Sequence, residues 1–466
     1  MKFIKFNMEI LDPMEEQQIH DASLDVLKTI GILMPEGRIL KLFEAAGAEV
    51  DPITSIVRIP EKLIESVLHE VRKSITESPT DRAISTLKIT VTPQPFIIDY
   101  PNQLRRYGTL DDVVKGILIA NRMRHLDYAN PIVTPSDVPA SLSDLYSYQI
   151  LNLYANKPGD AYINSEWSAN YVIEMAQMTG RNVAYLVEPV SPLRFAQEHL
   201  RLAILFAEKK QRLAIGPMVI AGLSGPVTLA GTLVIQNAEI LASIVLVYLL
   251  GAPCIYQYSG GAHTVDLRST MCSFGSPNQV KLVLAERQLS KRYGLPCLGS
   301  LALSDSILPD FQMGFEKGIS AGISAMAGVT RVGNQGHVGA DQAASLEQMV
   351  IDDEWTDYLN YILSGFEVNE ETIGMDVIRK VGIEGSFLAE DHTVQHGRAN
   401  YWRSDLFSRL PWDSWHASGG TSIYDRANEK VRKILAEDSP PTPHVSEETS
   451  KEMENIIQHA LKFLSS

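Results

Sequence analysis

Residues 184–220 read AYLVEPVSPLRFAQEHLRLAILFAEKKQRLAIGPMVI. Ala184–Val187 is an apolar run with the length of a strand buried on both faces. Arg194–Glu208 then carries apolar residues at helical spacing, and Leu213–Ile220 is a second apolar run. Strand, helix and strand in this order form the unit of a parallel sheet, because a parallel return needs a crossover.

The unit recurs on both sides of this stretch. Apolar runs at Tyr128–Val133, Ala161–Asn164, Pro253–Tyr258, Pro296–Leu303 and Gly328–Val332 complete a set of seven. Helical patterns at Asp111–Arg124, Leu142–Asn156, Ser168–Thr179, Thr228–Leu250, Asn278–Tyr293 and Asp310–Ala327 lie between and after them. No glycine-rich phosphate fingerprint accompanies the units. Seven strands in one block fit an α/β fold, a TIM (β/α)8 barrel with one strand unrecognised. The expected organisation is an N-terminal helical and β lead-in over residues 1–107, a (β/α)8 barrel core over 108–344, and a C-terminal helical extension over 345–466 packing on the barrel.

Composition narrows the function. The 466 residues hold 41 Lys and Arg against 56 Asp and Glu, a net charge of -15. That balance argues against binding nucleic acid or an anionic membrane, which calls for clustered basic residues. The three cysteines, Cys254, Cys272 and Cys297, have neither disulfide-framework nor zinc spacing, and no bound metal is expected. Residues 1–9 are interrupted by charge too often for a signal peptide, and Ile240–Leu250 is too short an apolar run to span a bilayer. A cytoplasmic protein is the expectation.

In a barrel the chemistry gathers at the C-terminal ends of the strands. The residues there include Asn164, Glu188, Tyr256, Gln257, Tyr258, Arg331, Gln335 and His337. Tyr256 and Tyr258 alternate on one strand and so share a face. Facing the lumen, their rings would suit a quaternary ammonium; facing outward, they would pack among helices. Glu188 could face a cationic nitrogen or pair with an Arg. His337, in a glycine-rich loop, could donate to a substrate carboxylate or lie at the surface. Arg331 could hold an anion, though a structural ion pair is the plainer reading. His392 either closes over the barrel mouth or caps the C-terminal segment.

Several longer motifs then occur in a telling order. They are Gly225 to Ala242 (GPVTLAGTLVIQNAEILA), Gly251-Ala252-Pro253 with Tyr256, Asp266-Leu267-Arg268, the acidic stretch Ser345 to Glu354, Phe387-Leu388 with His392-Thr393, and Trp412-Asp413-Ser414-Trp415. Together they resemble the trimethylamine methyltransferase superfamily across essentially the whole chain. The resemblance implies a TIM-barrel methyltransferase that passes a methyl group from a methylated amine to the Co(I) of a corrinoid (cobalamin) carried by a separate protein. Pyrrolysine, which trimethylamine enzymes carry in a loop after a late strand, is absent around Arg331 to His337. The implied branch is therefore the one that demethylates quaternary amines. Glycine betaine, giving dimethylglycine, is the first candidate; proline betaine, carnitine and γ-butyrobetaine are the others, and a homo-oligomer is expected.

The chemistry agrees with that branch. A quaternary ammonium already carries its charge, so loss of methyl leaves a neutral amine and no proton need be delivered. None of the eleven histidines has Asp two residues before it, so the corrinoid-binding pattern D-x-H-x-x-G is missing and the cofactor belongs on a partner. The competing reading is a barrel that binds betaines without this activity, or one whose chemistry has become that of a hydrolase or lyase.

Overall fold

The computed structural model describes residues 8–75, 87–329, 331–398 and 400–464. Its centre is a succession of short parallel strands. Ala184–Val187 pairs in parallel with Arg212–Ile215, and Leu213 bridges Cys254 in the next segment. That segment continues to Tyr258–Gly260, which pairs with Cys297–Gly299, and the latter pairs with Arg331–Val332. Arg331–Val332 pairs in turn with Lys88–Ile89, and Ile89 bridges Leu126. All these pairings are parallel.

The segments 126–133 and 158–164 carry little ladder of their own. Side chains make up the difference. The Ala129 N–H donates to Pro158 O at 2.8 Å, the Asp160 N–H to Asn130 Oδ1 at 2.8 Å, and the Ala184 N–H to Asp160 Oδ1 at 2.8 Å. The sequence runs at Tyr128–Val133 and Ala161–Asn164 are thus extended segments tied laterally by Asn and Asp rather than regular strands. Lys88–Ile89, placed by sequence reading in the lead-in, joins the parallel set. The stretch Leu87–Tyr100 alternates in strand fashion, but spacing along the chain does not say which strand it pairs with.

The helices fall close to where the apolar spacing placed them, at Leu110–Arg122, Ser143–Tyr154, Glu166–Thr179, Gln197–Glu208, Leu229–Leu250, Pro277–Tyr293 and Phe311–Met326. Capping explains several boundaries. Thr109 and Asp112 form a reciprocal capping box, as do Ser165 and Ser168. Gly251 and Gly294 end their helices in the left-handed conformation and turn the chain toward the next strand.

Leu229–Leu250 is the one helix among the described residues long and apolar enough to cross a membrane, and most of it is packed inside the fold. Its buried polar groups show what it does instead. Gln236 Nε2 donates to Pro217 O at 2.9 Å and Asn237 Nδ2 to Tyr293 Oη at 2.9 Å. Glu239 accepts from Ser191 Oγ and from the Leu193 N–H, each at 2.7 Å. Together these bonds tie the helix to two strand-end loops and to the helix Pro277–Tyr293.

Before the parallel set lie helices Pro13–Asp25, Gly37–Ala45 and Glu61–Ser74, with the antiparallel pair Glu49–Asp51 and Ile56–Arg58. After it come Leu346–Leu363, Ile423–Glu437 and Glu447–Leu464; Met453, Ile457 and Ala460 of the last are buried. The acidic stretch of Leu346–Leu363 is not a solvated face, for Asp352, Asp353 and Glu354 are all buried.

Asp352 holds the centre of this region. It accepts from Lys317 Nζ at 2.8 Å, the Gly336 N–H at 2.8 Å, Gln348 Nε2 at 2.7 Å and Trp355 Nε1 at 2.7 Å. Lys317 and Asp352 are each 1% exposed, so neither charge has water to fall back on. Removing one member of a buried pair leaves an uncompensated charge, so Lys317→Met is expected to cost about 3 kcal/mol. Urea unfolding measures it, and an unshifted midpoint would mean that the three remaining donors suffice.

Candidate functional site

Alternation along the parallel segments separates two faces. Tyr185 and Val187 are buried toward the helices, and the Tyr185 ring lies 5.4 Å from that of Phe206 on helix Gln197–Glu208. Ala184, Leu186 and Glu188 therefore face the other way. In the preceding segment Ala161 and Ile163 are buried, leaving Asp160, Tyr162 and Asn164 on the opposite face. These two sets meet in a cavity of about 320 Å³, which Ala161, Ile163 and Tyr185 also border and which Thr92, Asn130, Ala214, Glu198, His199 and Leu202 help to complete.

The cavity is acidic. Burial pushes the Asp160 carboxyl up to about 6, against the opposing pull of the Ala184 N–H and Arg212. Burial likewise raises Glu188, partly offset by the Tyr162 hydroxyl, 3.3 Å from its Oε2, and by His199. The His199 ring nitrogen Nδ1 lies 3.0 Å from the Glu188 carbonyl oxygen, which can only accept; Nδ1 therefore carries the proton. Among the described residues that line the cavity there is no Lys or Arg. Two carboxyls held above their usual range in one concave site mark a place where a bound cation would be welcome.

The sequence-predicted residues divide. Glu188 and Asn164 line the cavity. Tyr256 and Tyr258 do not, because the helix-facing alternative is the one realised. Tyr258 is fully buried, its ring stacked on Tyr293 at 6.1 Å and its hydroxyl 3.1 Å from Asn237 Oδ1. Tyr256 shares that face and packs against the main core. Gln257, between them, turns to the other side but is not among the cavity residues.

Arg331 opens its strand rather than ending it. Its guanidinium lies 3.7 Å from Asp127 and over the Tyr128 ring, in register with Lys88, whose Nζ is 3.1 Å from the same Asp127. The structural ion pair is thus the arrangement found. Gln335 is fully buried and donates to Met349 O at 2.7 Å. His392 sits among short C-terminal helices, its Nε2 3.2 Å from Glu371 O and its ring 4.4 Å from that of His396.

His337 is neither at the surface nor free to meet a substrate. It is 1% exposed, with Nε2 2.8 Å from Thr92 O and Nδ1 against the Asp341 carboxylate. The Gln94 side-chain nitrogen Nε2 also lies 3.2 Å from Nδ1, so the ring is held from three sides. Thr92 lines the cavity, which places His337 one layer behind the wall.

Asp160, Tyr162 and His199 were missed by sequence reading. The alternation in Asp160-Ala161-Tyr162-Ile163-Asn164 held the signal for the first two. Treating Ala161–Asn164 as a uniform apolar run concealed it. His199 carried no such signal, since a helical residue reaches the site only through the crossover.

Comparison with known proteins agrees with the motifs. The trimethylamine methyltransferase (MTTB) family profile matches residues 3–461. Trimethylamine methyltransferase MttB of Desulfitobacterium hafniense (strain DSM 10664 / DCB-2) is 27% identical over 94% of this chain and 91% of its own. Glycine betaine methyltransferase of Desulfitobacterium hafniense (strain Y51) is 28% identical over 94% of each chain. The crystal structure of the Methanosarcina barkeri monomethylamine methyltransferase (MtmB) covers 91% of this chain and 92% of its own, with 13% identity and a TM-score of 0.48, too loose a superposition to assign a fold. The family match spans nearly the whole sequence, and this chain is therefore a member of the trimethylamine methyltransferase (MTTB) family of methyltransferases.

Proposed function

We propose that this chain moves a methyl group from a quaternary amine to the Co(I) of a corrinoid held by a separate protein, on a (β/α)8 barrel. The observation that carries the reading is the cavity in which Asp160, Glu188 and Tyr162 converge with no Lys or Arg among the described lining residues. The order of parallel pairings, from Lys88–Ile89 through successive segments and back through Arg331–Val332, supports the barrel. The substrates for which the two Desulfitobacterium relatives are named, trimethylamine and glycine betaine, support a methylated amine. Standard residues at Arg331 to His337 favour the quaternary branch. Glycine betaine, giving dimethylglycine, is the first substrate to assay, followed by proline betaine, carnitine and γ-butyrobetaine.

The residues of this chain would act by holding and shielding the amine. Glu188 and Asp160 set negative charge beside the nitrogen, and the Tyr162 ring adds a π-face worth about 0.5–2 kcal/mol for such a cation. Leu186 and Ala214 line the same cavity and exclude water, which strengthens those interactions. Fixing the N–CH3 bond in one direction removes most of the orientational cost of transfer. A reduced corrinoid supplies the nucleophile when its carrier is docked. The segments that follow the strands offer a surface for that carrier, for they expose Met218, Leu223, Leu267, Ile307 and Leu308. Cytoplasmic location and a homo-oligomeric state belong to the same proposal.

The direct test is methyl transfer to free cob(I)alamin, followed by absorbance, with the four betaines and trimethylamine offered in parallel. Methylcobalamin formed from a quaternary amine is the expected result; silence with the cognate corrinoid protein also present would favour a binding-only barrel. Glu188→Gln is expected to raise KM about tenfold while changing kcat less, the pattern of a lost charge contact to the bound ground state. The Asp160 carboxyl, near 6 when the cavity is empty, is protonated at low pH and ionised above it. A cation favours the ionised form, so affinity for the amine is expected to rise between pH 5 and pH 7, with proton release on binding, and calorimetry in two buffers reads both.

A further inference from the structure

We propose that the cavity selects a quaternary ammonium whose tail carries no carboxylate, such as an alcohol or plain alkyl tail, over glycine betaine. This rests on the assignment of the cavity as the amine site. The argument is an inventory of charge and of free donors.

Three carboxylates, Asp160, Glu188 and Glu198, line the cavity, and among its described residues no Lys or Arg balances them. A betaine carboxylate needs N–H or O–H donors, and most of those nearby are committed, the Thr92 and Tyr185 hydroxyls excepted. Asn130 Nδ2 donates to Val91 O at 2.9 Å, and Asn164 Nδ2 to Ser143 Oγ at 2.9 Å. The Tyr162 hydroxyl is spent on Glu188 and His199 Nδ1 on the Glu188 carbonyl. Both ring nitrogens of His337 are engaged, on Thr92 O and Asp341.

In glycine betaine the carboxylate is one carbon from the nitrogen. Seating the nitrogen beside Glu188 therefore draws a second negative group into an acidic, donor-poor space. A 2-hydroxyethyl tail behaves oppositely, since its O–H is a donor among acceptors. A tetramethylammonium ion makes no demand at all.

Calorimetric titration of the full chain with choline chloride, tetramethylammonium chloride and glycine betaine at neutral pH tests the inference, alongside transfer to cob(I)alamin with the same three. Choline and tetramethylammonium are expected to bind at least about tenfold more tightly than glycine betaine, a difference of about 1.4 kcal/mol. Glu188→Gln should weaken the two cations while narrowing their advantage over glycine betaine; Glu198→Gln should narrow it as well, should the first variant fold poorly. Equal or tighter binding of glycine betaine, with Glu188→Gln still weakening all three, would overturn the selectivity and leave the amine site standing. Binding of any of them that neither variant alters would overturn the site assignment, and this inference with it, as would no binding at all.

Discussion

The buried carboxylate of Asp352 is the constraint on which the region around the site depends. A carboxylate removed from water must be neutralised and hydrogen-bonded on every side. Four donors from helix Phe311–Met326, helix Leu346–Leu363 and the glycine-rich loop do this for Asp352. The Gly336 N–H is one of them, so satisfying the charge fixes the loop. With the loop fixed, His337 meets Thr92 O and Asp341, and Thr92 is held at the cavity wall. A C-terminal helix thereby sets the position of a wall residue from the first parallel segment.

The cavity works by the reverse logic. Its carboxyls are incompletely partnered, which is why burial raises Asp160 and Glu188. Two acids short of cations within one cavity form the proposed site, which gains from a ligand carrying permanent positive charge. Stabilisation of this kind is electrostatic and preorganised, and asks no proton of the protein. That matches a methyl transfer in which the departing amine becomes neutral as it leaves.

The helices and their order were legible because apolar residues at a period of 3.6 report burial of one face directly, and all seven helical patterns became helices. The parallel class followed from their alternation with strands. The strands themselves were less legible. The alternation around Lys88–Ile89 did not reveal its partner Arg331–Val332, and the segment around Asp160 is held by side-chain bonds that spacing does not reveal.

Of the site, Glu188 and Asn164 could be taken from position alone, since they follow apolar runs. The tyrosine pair showed the limit of that reasoning. Alternation establishes that Tyr256 and Tyr258 share a face, yet which face turns toward Tyr293 and Asn237 depends on the register with Cys297–Gly299. The sequence by itself determined the family, the order of elements and the acidic excess, because these are properties of residues and their spacing along the chain. Only the tertiary structure decided which acids share a cavity, which histidine is locked behind its wall and which tyrosines are core. Those outcomes turn on contacts between residues far apart in the chain, such as His337 with Thr92 and Lys317 with Asp352, and on the low dielectric that burial creates around them.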